Sequence, residues 1–229
     1  MNERLVAEQT FKYAEEFSAL YANERAERRR AEEALTRLEA SYDTTVRALA
    51  AALELRDDVT GQHAERVTAL ALRLAAAVAP PLAEDTAVAH GFLLHDIGKI
   101  GIPDVVLNKP GTLDADERAL METHTELGER IVAGIPYLDG RAREVIAHHH
   151  ERWDGSGYPS CAKGPEIPLA ARIFAIADAF DAMTNDRPYR RALPVQHALA
   201  AIADGAGTQF DPELVEAFLA LMRDTPPAG

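Results

Sequence analysis

Cysteine is nearly missing from this chain: Cys161 stands alone among 229 residues. A single thiol excludes a disulfide framework and a cysteine zinc site. Long apolar runs are missing too. No stretch approaches the roughly 20 residues of a membrane span. The N-terminus, Met1-Asn2-Glu3-Arg4, has no apolar signal-peptide core, so a soluble cytoplasmic protein is expected. Positive charge is scarce, with 24 Lys and Arg against 37 Asp and Glu and a net charge of −13. That balance argues against a nucleic-acid polymer as main partner, because phosphate backbones demand basic surfaces. It leaves room for a small phosphate ligand, since metal ions and a few local cations can invert the field inside one pocket. Alternating Val, Ile and Thr runs are almost absent, which removes the usual signal for strands.

What remains is helical. Residues 1–48 are rich in Glu, Arg and Ala and hold no Gly or Pro, so they read as one long helix. Alternating steps of three and four run through Phe17, Tyr21, Glu24, Arg28, Ala31, Leu35, Leu38, Tyr42, Thr45 and Leu49. This is an imperfect coiled-coil stripe, interrupted at Glu24 and Arg28. It fits a dimer stalk or a helix lying along its own domain. From residue 49 a series of amphipathic helices is expected. The segments are Thr60–Val78, Ala83–Asp96, Asp114–Ala133, a shorter one from Gly140 or Arg141 to His150, Pro168–Thr184, Pro194–Asp204 and Asp211–Arg223. Asp114 with Glu117 forms a capping-box pattern. The expected architecture is an all-α bundle of one main domain, 49–229, with a helical extension, 1–48. Long loops are expected at 98–113 and 151–167, and loops of that length are more often functional than idle.

The ligand-capable residues cluster at helix ends. His63 lies near the start of one helix, His95 and Asp96 end another, His124 is expected mid-helix, and His149 and His150 close a fourth. Asp178 sits among apolar neighbours in Ile173-Phe174-Ala175-Ile176-Ala177-Asp178-Ala179-Phe180. A buried carboxylate is costly unless it is paired or bound to a metal, and mixed imidazole and carboxylate donors suit Zn, Mn or Fe. Asp96 has two oxygens and could bridge two ions. His148, His149 and His150 cannot all point at one site, because each helical step turns about 100°. His90 and His197 read as ordinary helix residues. Glu151 and Asp154 could each orient a ligating imidazole, although Asp154 fits equally as a cap of the turn at Gly155. Trp153 reads as a cap on the core beside that loop.

Two segments carry a resemblance: His95-Asp96-Ile97-Gly98-Lys99 and His149-His150-Glu151-Arg152-Trp153-Asp154-Gly155-Ser156-Gly157-Tyr158-Pro159. With His63 and Asp178 they resemble the HD superfamily of metal-dependent phosphohydrolases, and within it the HD-GYP cyclic di-GMP phosphodiesterases of bacterial signalling. Further matching segments are Lys109–Leu113, Ala171–Thr184, Asp186–Arg190 and Gln209–Pro212. Together they span roughly residues 56–222.

The resemblance implies an all-helical fold and metal ligands His63, His95, Asp96, His124, His149, His150 and Asp178, with His148 outside the set. It implies two divalent transition metal ions, of Fe, Mn, Zn or Ni. Asp96 and Lys99 would serve catalysis, and Lys99, Arg187 and Arg190 would contact the substrate. On residue type alone, Lys99 reads as a solvated loop residue, and Arg187 and Arg190 as partners of Asp181 or Asp186. Some family members hold a third metal with a Glu four residues before the first histidine. Val59 stands there and cannot ligate, so two metals and the linear product pGpG are expected, with further conversion to GMP in doubt.

The implied partners are a cyclic dinucleotide and a signalling protein at the 151–167 loop, and the coiled-coil stripe adds a second copy joined through the N-terminal helix. Another cyclic dinucleotide such as cyclic GMP-AMP fits the same donors, as does a module that binds a cyclic dinucleotide without cutting it.

Overall fold

The computed structural model describes residues 2–56, 62–186 and 191–224, without the side chains of residues 2–5, 9–10 and 14–15. Val59, Arg187 and Arg190 lie outside the described residues. The chain is all-α. In order come α1 (Asn2–Arg56), α2 (His63–Val78), α3 (Pro80–Ala83), α4 (Thr86–Leu93), α5 (Asp104–Leu107), α6 (Ala115–Glu122), α7 (His124–Val132), α8 (Arg141–His148), α9 (Leu169–Thr184), α10 (Val195–Asp204) and α11 (Pro212–Asp224). Shorter 3-10 turns occupy Ile97–Gly101, Pro136–Leu138 and Gly164–Glu166. Among the described residues there is no strand, only an isolated bridge between Ala206 and Phe210. No helix among them is long and apolar enough to cross a membrane.

The chain divides into two compact units, Met1–Thr45 and Val46–Gly229. The first is helical throughout its described residues, and Phe17, Tyr21, Leu35, Leu38 and Tyr42 are exposed along it. The second holds two buried clusters. One, around Phe92, Phe174 and Phe218, joins α2, α4, α9, α10 and α11. The other joins Val46 and Ala50 at the end of α1 to Leu93, Leu94, Ile97, Val132 and Ile146. Phe92 stacks on Phe174 with centroids 5.2 Å apart. The capping box of α6 is present, with the Asp114 carboxylate accepting from the Glu117 amide and the Glu117 carboxylate from the Asp114 amide.

The helix expected over Asp114–Ala133 is two helices, α6 and α7, and His124 opens the second instead of lying mid-helix. The cause is local. Thr123 Oγ1, His124 Nδ1 and Thr125 Oγ1 bond the carbonyls of Leu120, Met121 and Glu122 at 2.6, 2.8 and 3.2 Å. Side chains that take these carbonyls compete with the helical amide ladder. The stretch 98–113, expected as a loop, contains most of the first 3-10 turn and all of α5.

Gly98 lies where that 3-10 turn crosses the start of α7. A Cβ there would overlap the His124 carbonyl oxygen and the Gly128 amide nitrogen. Both are backbone atoms that cannot swing aside. Gly98→Ala is therefore expected to lower stability by about 2 kcal/mol or more, read as a lower midpoint of thermal unfolding. A midpoint equal to that of the parent chain would contradict this packing.

Candidate metal centre

Three histidines share one local device. Nδ1 of His95 bonds the Phe92 carbonyl at 2.9 Å, Nδ1 of His124 that of Met121 at 2.8 Å, and Nδ1 of His149 that of Ile146 at 2.9 Å. Each carbonyl lies three residues back, in the last turn of a helix. A carbonyl only accepts, so Nδ1 carries a proton, and in a neutral ring Nε2 keeps a bare lone pair. The helix end thus aims Nε2 away from its own helix.

These lone pairs converge. His124 Nε2 and His149 Nε2 face each other across 3.2 Å, and Asp96 Oδ1 lies 3.4 and 3.8 Å from them. The other oxygen of the same carboxylate, Oδ2, is 3.1 Å from His95 Nε2 and 2.8 Å from Lys99 Nζ. His63 Nε2 is 3.3 Å from Asp178 Oδ1. Two groups result, Asp96 with His124, His149 and His150, and His63 with His95 and Asp178. Within each, the donor atoms lie within 4.8 Å of one another. His148 belongs to neither, and its Nδ1 bonds the Glu144 carbonyl.

Electrostatics sharpen the arrangement. Burial pushes His124 and His149 down, so both imidazoles are neutral near pH 7. Burial also pushes His150 down, to about 4. Asp96 is driven up by burial, but Lys99 and His95 outweigh that and hold it well below the ordinary carboxylate range. Asp178 is likewise opposed by burial and held at about 2 by its bond to His63. Neutral acceptors therefore meet an ionised carboxylate at short range with no proton between His124 and His149. Such a set of nitrogen and oxygen acceptors fits a divalent transition metal ion.

His63 is the exception. Burial would lower it, yet its bonds to Asp178 and to Asp181 raise it to about 9. Its Nδ1 lies 2.7 Å from Asp181 Oδ2, and Asp181 also accepts from Arg66 and Asn185. Asp181 is the orienting carboxylate of this group, a role the sequence reading did not give it. Its one sequence signal is the three-residue step from Asp178, which puts both on one face of α9.

In the loop after His150, Glu151 has a different task from the one expected. Glu151 is buried and accepts from the amides of Ser160 and Ala162 at 2.7 and 3.1 Å, so it braces the loop and orients no imidazole. Asp154 accepts from the Ser156 amide and hydroxyl, which is the turn-capping alternative. Trp153 lies under the Arg172 guanidinium at 5.7 Å, and Arg172 pairs with Asp211. Asp186 Oδ1 accepts from the Ala192 amide.

Two further residues were missed. Arg56, at the end of α1, donates to the carbonyls of Lys99 and Ile102 at 2.8 and 2.6 Å and pairs with Asp104. Glu54 accepts from the Ala64 amide at 2.6 Å, one residue after His63. Nothing local in the sequence marks either, because their partners come from other segments.

The family model for the HD domain matches residues 47–214. The chain belongs to the HD domain family. It is 44% identical over 173 residues to a cyclic di-GMP phosphodiesterase of Thermotoga maritima, covering 75% of this chain and 47% of that protein. It is 41% identical over 172 residues to the 3'3'-cGAMP-specific phosphodiesterase 2 of Vibrio cholerae, covering 75% and 33%. This chain thus spans about half the length of the first of these and a third of the second. Among solved structures it is similar to a HDG"Y"P protein from Bdellovibrio bacteriovorus, at 21% identity and a TM-score of 0.57, covering 70% and 51%. That likeness supports the HD fold.

The His63 cluster predicts a pH dependence for the HD domain. A folded-state pKa of about 9 above an ordinary 6.5 means that the folded chain holds a proton the unfolded chain releases. The stabilisation is complete below about 6.5 and is lost as pH rises through about 9. Chelator-treated protein is expected to lose thermal stability across that window, and Asp181→Asn to flatten the loss. Identical profiles for the two proteins would refute the ion triplet.

Proposed function

We propose that this HD domain is a metal-dependent phosphodiesterase that hydrolyses cyclic di-GMP to linear pGpG. The observation that carries the reading is the meeting of His124 Nε2, His149 Nε2 and Asp96 Oδ1 with no proton between the two nitrogens. In this proposal two divalent ions, of Fe, Mn, Zn or Ni, are held by His63, His95 and Asp178 and by His124, His149 and His150, with Asp96 shared. Such ions supply Lewis acidity toward a phosphoryl oxygen and make a nucleophile available from water near neutral pH.

The side chains do the rest. Asp96, ionised and with an oxygen toward each group, is the common anchor. Lys99, beside Asp96 Oδ2, offers a point charge to a phosphate oxygen. Arg187 and Arg190 are proposed as forks for phosphate or guanine. Together these cations serve a dianionic substrate in a chain of net charge −13. Val59 supplies no oxygen four residues before His63, which favours two ions and pGpG as the end product. A second substrate, 3'3'-cGAMP, is favoured by the relative of that specificity.

The N-terminal helix, residues 1–48 on its sequence pattern, is proposed to pair with a second copy through its exposed stripe. The 151–167 loop is proposed as a surface for a signalling protein.

Replacing His95 and Asp96 together by Ala is expected to abolish metal retention, read by elemental analysis of anaerobically purified protein. Turnover of cyclic di-GMP is expected to vanish with it. Full turnover by that variant would sink the mechanism, and a GMP end product would overturn the pGpG assignment. Cyclic di-GMP and 3'3'-cGAMP offered at equal concentration decide which is preferred. For the pairing, Leu35→Glu combined with Leu38→Glu is expected to halve the particle mass in light scattering of the full chain. An unchanged mass would dismiss the pairing through this stripe.

A further inference from the structure

His150 is held differently from the other four imidazoles of the two groups. His95, His124 and His149 are each fixed by a carbonyl, and His63 by Asp181. Among the described residues nothing hydrogen-bonds the His150 ring. What meets it is the phenol ring of Tyr158, nearly parallel at a centroid distance of 4.8 Å and an interplanar angle of 28°. His149 and His124 close the other sides at 4.2 and 5.0 Å.

Tyr158 is itself firmly set. Its amide donates to the His150 carbonyl at 3.3 Å. Glu151 braces the following residues through the Ser160 and Ala162 amides. Gly157 lies so close to the backbone of His150, Glu151 and Arg152 that a Cβ would collide with all three. The Gly-Tyr-Pro turn is thus pressed onto the segment that carries the histidine pair.

We infer that Tyr158 is the positioning residue of His150, its ring face doing by stacking what a hydrogen bond does for the other four imidazoles. Stacking suits this task. An imidazole bound to a cation is electron-poor, and an electron-rich phenol face attracts it more strongly than a neutral ring. The contact fixes the ring plane while leaving both nitrogens unencumbered, so the orientation of His150 depends on the ring and not on the hydroxyl.

The inference rests on His150 being a ligand, and the test separates the two. Metal-free protein of residues 1–229 is titrated with Co²⁺ and followed by its visible absorption, which reports coordination directly. Tyr158→Phe keeps the ring and is expected to bind both ions within about twofold of the parent. Tyr158→Leu is expected to weaken one of the two ions by about tenfold or more, the scale of losing a residue that orients a ligand, and to leave the other unchanged. His150→Ala should weaken the same ion at least as much. If Tyr158→Leu is unfolded by circular dichroism, Tyr158→Met fills similar space without a ring face and carries the same expectation. Parent-like titration of the Leu or Met variant beside a weakened His150→Ala overturns the inference alone. Equal losses in the Phe and Leu variants overturn it in favour of the hydroxyl. Parent-like titration of His150→Ala overturns the ligand reading itself.

Discussion

One hydrogen bond, from an imidazole Nδ1 to a carbonyl three residues earlier, is used at His95, His124 and His149, and the candidate centre depends on it. At His95 and His149 it satisfies a carbonyl that a helix end leaves without an amide, and at His124 it joins the Thr123 amide on the Met121 carbonyl. It also fixes the tautomer and the ring. Folding and chemistry therefore share the same bond: the turn that ends the helix is the turn that aims the lone pair. Phe174 packs against His95, at 4.6 Å, and against Phe92, and so joins the centre to the apolar core.

Asp96 turns two such groups into one centre. Its oxygens face opposite ways, one toward His124 and His149 and the other toward His95 and Lys99. It can do so only because the backbone after it bends at once into a 3-10 turn, and because Gly98 lets that turn press onto α7. The sequence His-Asp-Ile-Gly-Lys is thus a geometric unit. Each residue in it is constrained by contact with another helix as much as by chemistry.

Much of this was legible in the chain. The absence of alternating apolar runs pointed to an all-α fold, and paired His-Asp and His-His at helix ends singled out the residues that the structure gathers. The break at Thr123 was not legible. Apolar periodicity continues across it, while the hydroxyl and imidazole bonds that cause it leave no mark on periodicity. The bonds of Asp181 to His63 and Arg66 were not legible, because both partners lie more than a hundred residues away. Glu151 was read as serving an imidazole because it adjoins one, yet its carboxylate turns the other way, to amides nine and eleven residues on. In each case the residue type was informative and its partner was decided by tertiary structure.

The clamp at Arg56 bears on where the HD domain begins. The first imidazole of the centre is His63, but the backbone that carries Lys99 is gripped by a side chain seven residues upstream, in the last turn of α1. Glu54 and Arg47 reach from the same helix to Ala64 and Glu65. A chain cut just after Arg56 would retain every imidazole and carboxylate and still lose the scaffold that holds two of their segments in register. The working edge of this domain thus lies inside a helix, which agrees with a family match that opens at residue 47.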